Sequence, residues 1–257
     1  MFCGKTRKRG KEHAFAETLL DALEANREKA VLERRSVADD SSESQRSHPF
    51  GTLVCGDVCE ACNIGWMSKM EQSVRTWILG INSKDDLKFP SDSFRLLFSR
   101  WALKTACILD RLGTLNEINP EISRQLHDAP DRLPERIAVF IGFLDYPGKK
   151  LFAWNQRNAW TEYPLDTKCT SRDCSSAGSW FKIAFAIGPL MILVASTPND
   201  HFKFAVGSGV HVAAWPAVEY RLRNWFYTRR VDSVDPVTAL KNFSDLLAVS
   251  HEGQVFS

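Results

Sequence analysis

The chain has no apolar run long enough to cross a membrane. Its longest, Ile183 to Ala195, is thirteen residues and is broken by Gly188-Pro189, against the ~20 that a spanning helix needs. It reads instead as two strands and a turn, and no membrane association is expected. Nothing at the start has the basic n-region and apolar h-region of a secretory signal. An even set of cysteines is also missing: there are seven, scattered in a way that suits reduced thiols and a cytoplasmic location better than a disulfide framework. Nor is there bulk positive charge. The formal net charge of +2 is too small to mark a nucleic-acid binder by itself. At 257 residues and 44% hydrophobic, the chain can fill one large core or two small ones.

Charge and sulfur are present locally. Three of the seven cysteines, Cys55, Cys59 and Cys62, fall within eight residues, and the last two form a Cys-x-x-Cys pair followed directly by Asn63. A two-residue spacer lets two thiolates reach one metal ion from a tight knuckle. The rival readings are a thioredoxin-like redox pair and two incidental buried cysteines. The redox reading wants a preceding strand early in a βαβ pattern, and the preceding residues read as helical and polar. Lys5, Arg7, Lys8, Arg9 and Lys11 place five positive charges, with no acid among them, between Cys3 and Glu12-His13.

The apolar periodicity predicts an amphipathic helix from Phe15 to about Arg35, with Phe15, Leu19, Leu20, Leu23, Ala30 and Val31 on one side. Ser36 to Ser47 reads as a loop, and His48, before Pro49, as a solvated loop histidine. A helical pattern resumes from Gly65 to Leu79, and Lys84-Asp85-Asp86 is a turn. Ser91 caps a long second helix whose stripe of Phe94, Leu97, Phe98, Trp101, Thr105, Ile108, Leu109 and Leu112 makes a buried seam. Arg100, Lys104 and Arg111 on its other side read as a solvated face, or as a ridge that tracks phosphates.

Beyond Pro134, short runs at Ile137 to Leu144, Leu151 to Trp154, Trp180 to Ile187, Leu190 to Ser196 and Phe202 to Val206 predict a mostly antiparallel unit. Asp235-Pro236 opens a final helix carrying Val237, Leu240, Phe243 and Leu247. Trp154, Trp160, Trp180, Trp215 and Trp225 read as core or hairpin residues, and His201, His211 and His251 as structural. The fold class expected is therefore α+β, with a knuckle-bearing segment at 1–80, a helical segment at 81–134 and a β-rich unit at 135–257.

Phe2-Cys3-Gly4, Glu12-His13-Ala14-Phe15 and Cys62-Asn63-Ile64-Gly65-Trp66-Met67-Ser68 together resemble the HNH (ββα-metal) endonuclease family. With Trp101-Ala102-Leu103-Lys104-Thr105-Ala106, they are similar to a narrower group of bacterial HNH-like proteins of largely unknown role. The HNH resemblance covers about the first 70 residues. It implies an amino-terminal ββα domain with a structural zinc on Cys3, Cys59 and Cys62, the fourth thiolate coming from a cysteine upstream or from Cys55. It makes His13 the general base, and Glu12 and Asn63 ligands of a catalytic Mg²⁺ or another divalent ion. Lys5 to Lys11 would steer nucleic acid, DNA in preference to RNA, toward the cleft.

The chain departs from the family at three places. Thr52-Leu53-Val54 holds no Asn, Ala16 stands where the family has proline, and Asn63 stands where a histidine is usual. The implied activity is metal-dependent cleavage of nucleic-acid phosphodiesters. The alternative is a degenerate zinc module that binds nucleic acid or a protein partner without cutting.

Overall fold

Backbone N–H and C=O groups need hydrogen-bond partners, and part of the first eighty residues finds them in two short antiparallel pairs. A computed structural model describes residues 1–4, 8, 10–35, 42–81, 89–113, 118–145, 152–157, 159–162, 167–170, 181–197, 202–206, 212–215, 231–232, 240, 243–244 and 247–251. The chain order begins β1 (Glu12–His13), α1 (Glu17–Ala22), β2 (Lys29–Arg35), β3 (Ser42–Pro49) and β4 (Val54–Cys55). β1 and β4 pair antiparallel, Glu12 opposite Cys55 and His13 opposite Val54.

The helix expected from Phe15 to Arg35 is cut short. It ends after Ala22, Glu24 takes a positive φ of 50°, and the Ala25 N–H turns back to the Leu20 carbonyl. β2 then pairs antiparallel with β3, from Lys29 opposite Pro49 to Arg35 opposite Ser42. Part of the expected Ser36–Ser47 loop is thus strand, and His48 lies exposed at its end. Lys, Ala, Leu, Glu and Arg favour helix locally, but cross-strand pairing overrides so weak a preference.

Helices come next: α2 (Glu60–Cys62), a π-type turn at Asn63–Met67, α3 (Ser68–Gly80), α4 (Asp92–Leu112) and α5 (Pro120–Asp128). The Ser91 hydroxyl accepts the Phe94 N–H at 3.1 Å, the expected cap. The seam predicted along α4 understates its burial. All thirteen residues from Phe98 to Asp110 are buried, because α4 packs against α3, α5, β4 and the large sheet.

Two of the three cations expected to be solvated, or to meet phosphate, are therefore interior. Arg100 donates to the carbonyls of Leu126 (2.6 Å), Arg132 (2.9 Å) and Ala129, closing the carboxyl end of α5, while Arg111 is half-buried. Lys104 is held by Glu12 and Glu71. Both expectations for this face are overturned for Arg100 and Lys104: buried charges persist where partners saturate them, and these partners are distant in sequence.

The carboxy-terminal strands are β5 (Ile137–Asp145), β6 (Phe152–Arg157), β7 (Ala159–Glu162), β8 (Thr167–Thr170), β9 (Phe181–Ile187), β10 (Leu190–Ser196), β11 (Phe202–Val206), β12 (Val212–Trp215), β13 (Val231–Asp232) and β14 (Leu247–His251). One sheet runs β12-β5-β10-β9-β6, antiparallel throughout, with β13 parallel to β5; a second runs β11-β14-β7-β8. The apolar run around Gly188-Pro189 is the β9–β10 hairpin, with Gly188 at φ +56°. Both strands are buried along their whole length, which is why their sequence does not alternate.

Leu240 and Phe243 are helical and buried, but Leu247 opens β14 instead of extending that helix. Lys84-Asp85-Asp86, Leu151, Trp180, His201, His211, Trp225 and Asp235 to Val237 lie outside the described residues. One apolar core runs from Phe2 through α4 to Ala214. Phe185 of β9 meets Phe15 and Trp101 at ring-centroid distances of 6.0 and 6.1 Å, tying the knuckle region to the large sheet through α4. The architecture is mixed helix and sheet, and no described helix is long and apolar enough to cross a membrane.

Candidate metal centre

The knuckle is assembled from two chain segments lying side by side. The Gly10 N–H donates to the Val58 carbonyl at 2.7 Å, and the Glu60 N–H to the Lys8 carbonyl at 3.0 Å. A Cβ at Gly10 would sit 3.3 Å from the Glu60 Cα, so glycine permits this approach. The terminal ammonium of Met1 donates to the Asp57 carbonyl at 2.9 Å, and Gly4 turns the chain after Cys3 at φ +63°. Phe2 and Trp66 meet edge to face at 5.6 Å, and Trp66 in turn lies 6.1 Å from His127 of α5.

These contacts bring Cys3 to the Cys-x-x-Cys pair. The sulfurs of Cys3, Cys59 and Cys62 all lie within 4.8 Å of one another, Cys3 and Cys59 at 3.4 Å. Tetrahedral zinc with bonds of ~2.3 Å sets its sulfurs ~3.8 Å apart, a spacing compatible with these thiols. Cys59 caps α2 and its sulfur accepts the Cys62 N–H at 3.4 Å. The buried Trp66 indole N–H acts on Cys62 as a donor, in the sense that favours its thiolate.

Without a cation, burial and then the neighbouring Cys59 and Cys3 thiols push the Cys62 thiol up to about 12. A divalent ion reverses that balance, because the repulsion between thiolates becomes ligation. The three residues can hold a metal ion and suit zinc. Cys55 is buried on β4 opposite Glu12, and burial raises its pKa; it is not part of the group of gathered sulfurs.

The other expected site residues are distributed around this centre. The Glu12 carboxylate is almost wholly buried and pairs with Lys104 at 2.9 Å; Lys104 also pairs with Glu71 of α3. Burial raises the Glu12 pKa against the pull of Lys104, and Glu71 adds like charge. Burial alone would lower the Lys104 pKa, but Glu71 and Glu12 outweigh it and hold it above the ordinary value. His13 follows Glu12 on a strand, where successive side chains take opposite faces. It is half-buried, with Nδ1 enclosed and, among the described residues, without a hydrogen-bond partner.

The Asn63 side-chain amide donates to the Lys11 carbonyl at 3.0 Å, pinning the start of the π-type turn to the residue before Glu12. Lys8 and Lys11 are exposed, Lys8 pairing with Glu60 at 3.2 Å. Lys5, Arg7 and Arg9 lie outside the described residues. Lys104 and Glu71 are the members of this constellation that sequence reading did not assign. Lys104 stands in a quoted motif, Trp101 to Ala106, whereas Glu71 carries no signal beyond being a polar helix residue.

Fold and site together define a mixed α and β protein with a three-cysteine knuckle able to hold a metal, set against a buried ion triad. No family model, curated protein or solved structure matches the chain.

Proposed function

We propose that the chain is an HNH-like module in which a structural zinc on Cys3, Cys59 and Cys62 presents a basic amino-terminal segment that binds nucleic acid, DNA in preference to RNA, without cutting it. The observation that carries this reading is the commitment of Glu12. A carboxylate locked to the fully buried Lys104 is not free to ligate a catalytic Mg²⁺. The Asn63 amide nitrogen donates to the Lys11 carbonyl, a bond that leaves its Oδ1, the atom a metal would take, uncommitted. Support for a nucleic-acid partner comes from the five cations between Lys5 and Lys11. Their segment is fastened to the knuckle at Lys8 and Gly10, and phosphate neutralisation by such a segment gives salt-dependent affinity.

Metal-dependent cleavage with His13 as general base is the second reading, favoured by one observation. Among the described residues the buried Nδ1 of His13 has no hydrogen-bond partner, so that ring nitrogen is not committed to another group.

The two are separated by measuring duplex binding by fluorescence anisotropy across a salt series beside plasmid nicking in Mg²⁺ or Mn²⁺, for the wild type and His13→Ala. Salt-dependent binding without nicking is the expected result. Nicking that disappears in His13→Ala would replace the first reading with the second. Absence of binding by zinc-loaded protein refutes both.

A further inference from the structure

We infer that the Glu12–Lys104–Glu71 triad is the second anchor of a closed ring whose first anchor is the metal on the three cysteines, which makes Lys104 a positioning residue for the metal site. The inference rests on the metal reading of Cys3, Cys59 and Cys62 and is independent of any nucleic-acid activity.

The ring is read from connectivity. Glu12 stands nine residues after Cys3, and Glu71 nine residues after Cys62. Each carboxylate therefore sits on a segment that leads directly out of a cysteine: Glu12 at the end of the basic segment, Glu71 in the first turn of α3. At one end a metal would draw Cys3 and Cys62 together; at the other, Lys104 holds Glu12 and Glu71, its ammonium fully buried and its carboxylate partners 4% and 14% exposed. Between the two anchors the Asn63 amide N–H joins the segments at the Lys11 carbonyl, while Glu60 N–H to Lys8 and Gly10 N–H to Val58 tie the first segment to the chain just before Cys62.

Opening either anchor loosens the closure of the ring, so each should favour closure of the other. That is a coupling free energy between two sites, and it is reciprocal. Loss of an ion triad that only stabilised the core would lower overall stability without selectively weakening the metal. Placement at both exits of the knuckle predicts a selective effect.

The test is metal affinity of the full chain under reducing conditions, by competition with a chromophoric zinc chelator and by the thiolate-to-metal absorption of the Co²⁺ form. Wild type, Lys104→Met and Glu71→Gln are measured beside Ile192→Ala, a cavity in buried β10 that lowers stability away from the ring. Lys104→Met should keep one metal and its thiolate absorption but bind about tenfold more weakly. Glu71→Gln should weaken binding several-fold, and Ile192→Ala less than twofold. Affinity in Lys104→Met and Glu71→Gln no weaker than in Ile192→Ala overturns the inference. If Lys104→Met does not fold, Glu71→Gln decides by the same comparison. A wild type without thiolate-bound cobalt refutes the metal reading itself, an outcome distinct from a metal site indifferent to Lys104.

Discussion

Replacing Arg100 by Met tests whether the cations of α4 act inside the protein or toward a ligand. Arg100 donates to three backbone carbonyls at and beyond the end of α5, from Leu126, Ala129 and Arg132. Hydrogen bonds from a charged donor contribute ~1.5–3 kcal/mol each, so three at the lower end give roughly 4–5 kcal/mol. Part of that is offset. Burial lowers the guanidinium's pKa, a sign that its desolvation is costly, and carbonyls at a helix end regain some water once freed. Methionine keeps most of the aliphatic packing, so the expected net loss is about 2–4 kcal/mol.

Urea unfolding should show it as a midpoint lowered by ~1–2 M with an unchanged slope. Nucleic-acid affinity and its salt dependence, measured well below that midpoint, should be unaltered. A loss below ~1 kcal/mol, or a reduced salt slope in a variant of full stability, would refute the capping role and restore the phosphate-facing reading.

Three further outcomes are expected. Cys59→Ser should abolish metal binding as measured by elemental analysis of purified protein, whereas Cys55→Ser should keep the metal content of the wild type, because Cys55 lies outside the gathered sulfurs. Cys107 is wholly buried and burial pushes its thiol up to about 12. The folded chain therefore keeps a proton that the unfolded chain releases above ~8.5, so stability falls as pH rises toward 12, and Cys107→Ala should flatten that slope by up to ~1.4 kcal/mol per pH unit in alkaline urea titrations. Gly188→Ala should cost about 1 kcal/mol in thermal unfolding: nothing lies within 4 Å of the added Cβ, so the cost comes from the φ of +56° alone.

Local pattern made some elements legible and misled on others. The Ser91 cap and the seam of α4 follow from residues within one turn of each other, as does the β9–β10 hairpin from its Gly-Pro break. The segment Lys29–Arg35 was misread because its residues favour helix and its strand partner, Ser42–Pro49, is polar, leaving no apolar alternation to reveal either. The cysteine centre was legible as a motif, since Cys59-x-x-Cys62 carries its own geometry and Cys3 stands in a matching Phe-Cys-Gly. The engagement of Glu12 was not: its partner Lys104 is 92 residues away, on a helix face that reads as solvated.

The sequence by itself determined the mixture of helix and sheet, the capped length of α4, the buried hairpin and the presence of a Cys-x-x-Cys motif and a basic segment, because periodicity, capping and ligand spacing are local properties. Only the tertiary structure decided that Cys3 joins Cys59 and Cys62 while Cys55 stays apart, that Arg100 caps α5, and that Lys104 binds Glu12 and Glu71. The physical reason is common to all three. A charged or thiol side chain declares what it can bond to, but burial and the approach of a distant segment select the partner.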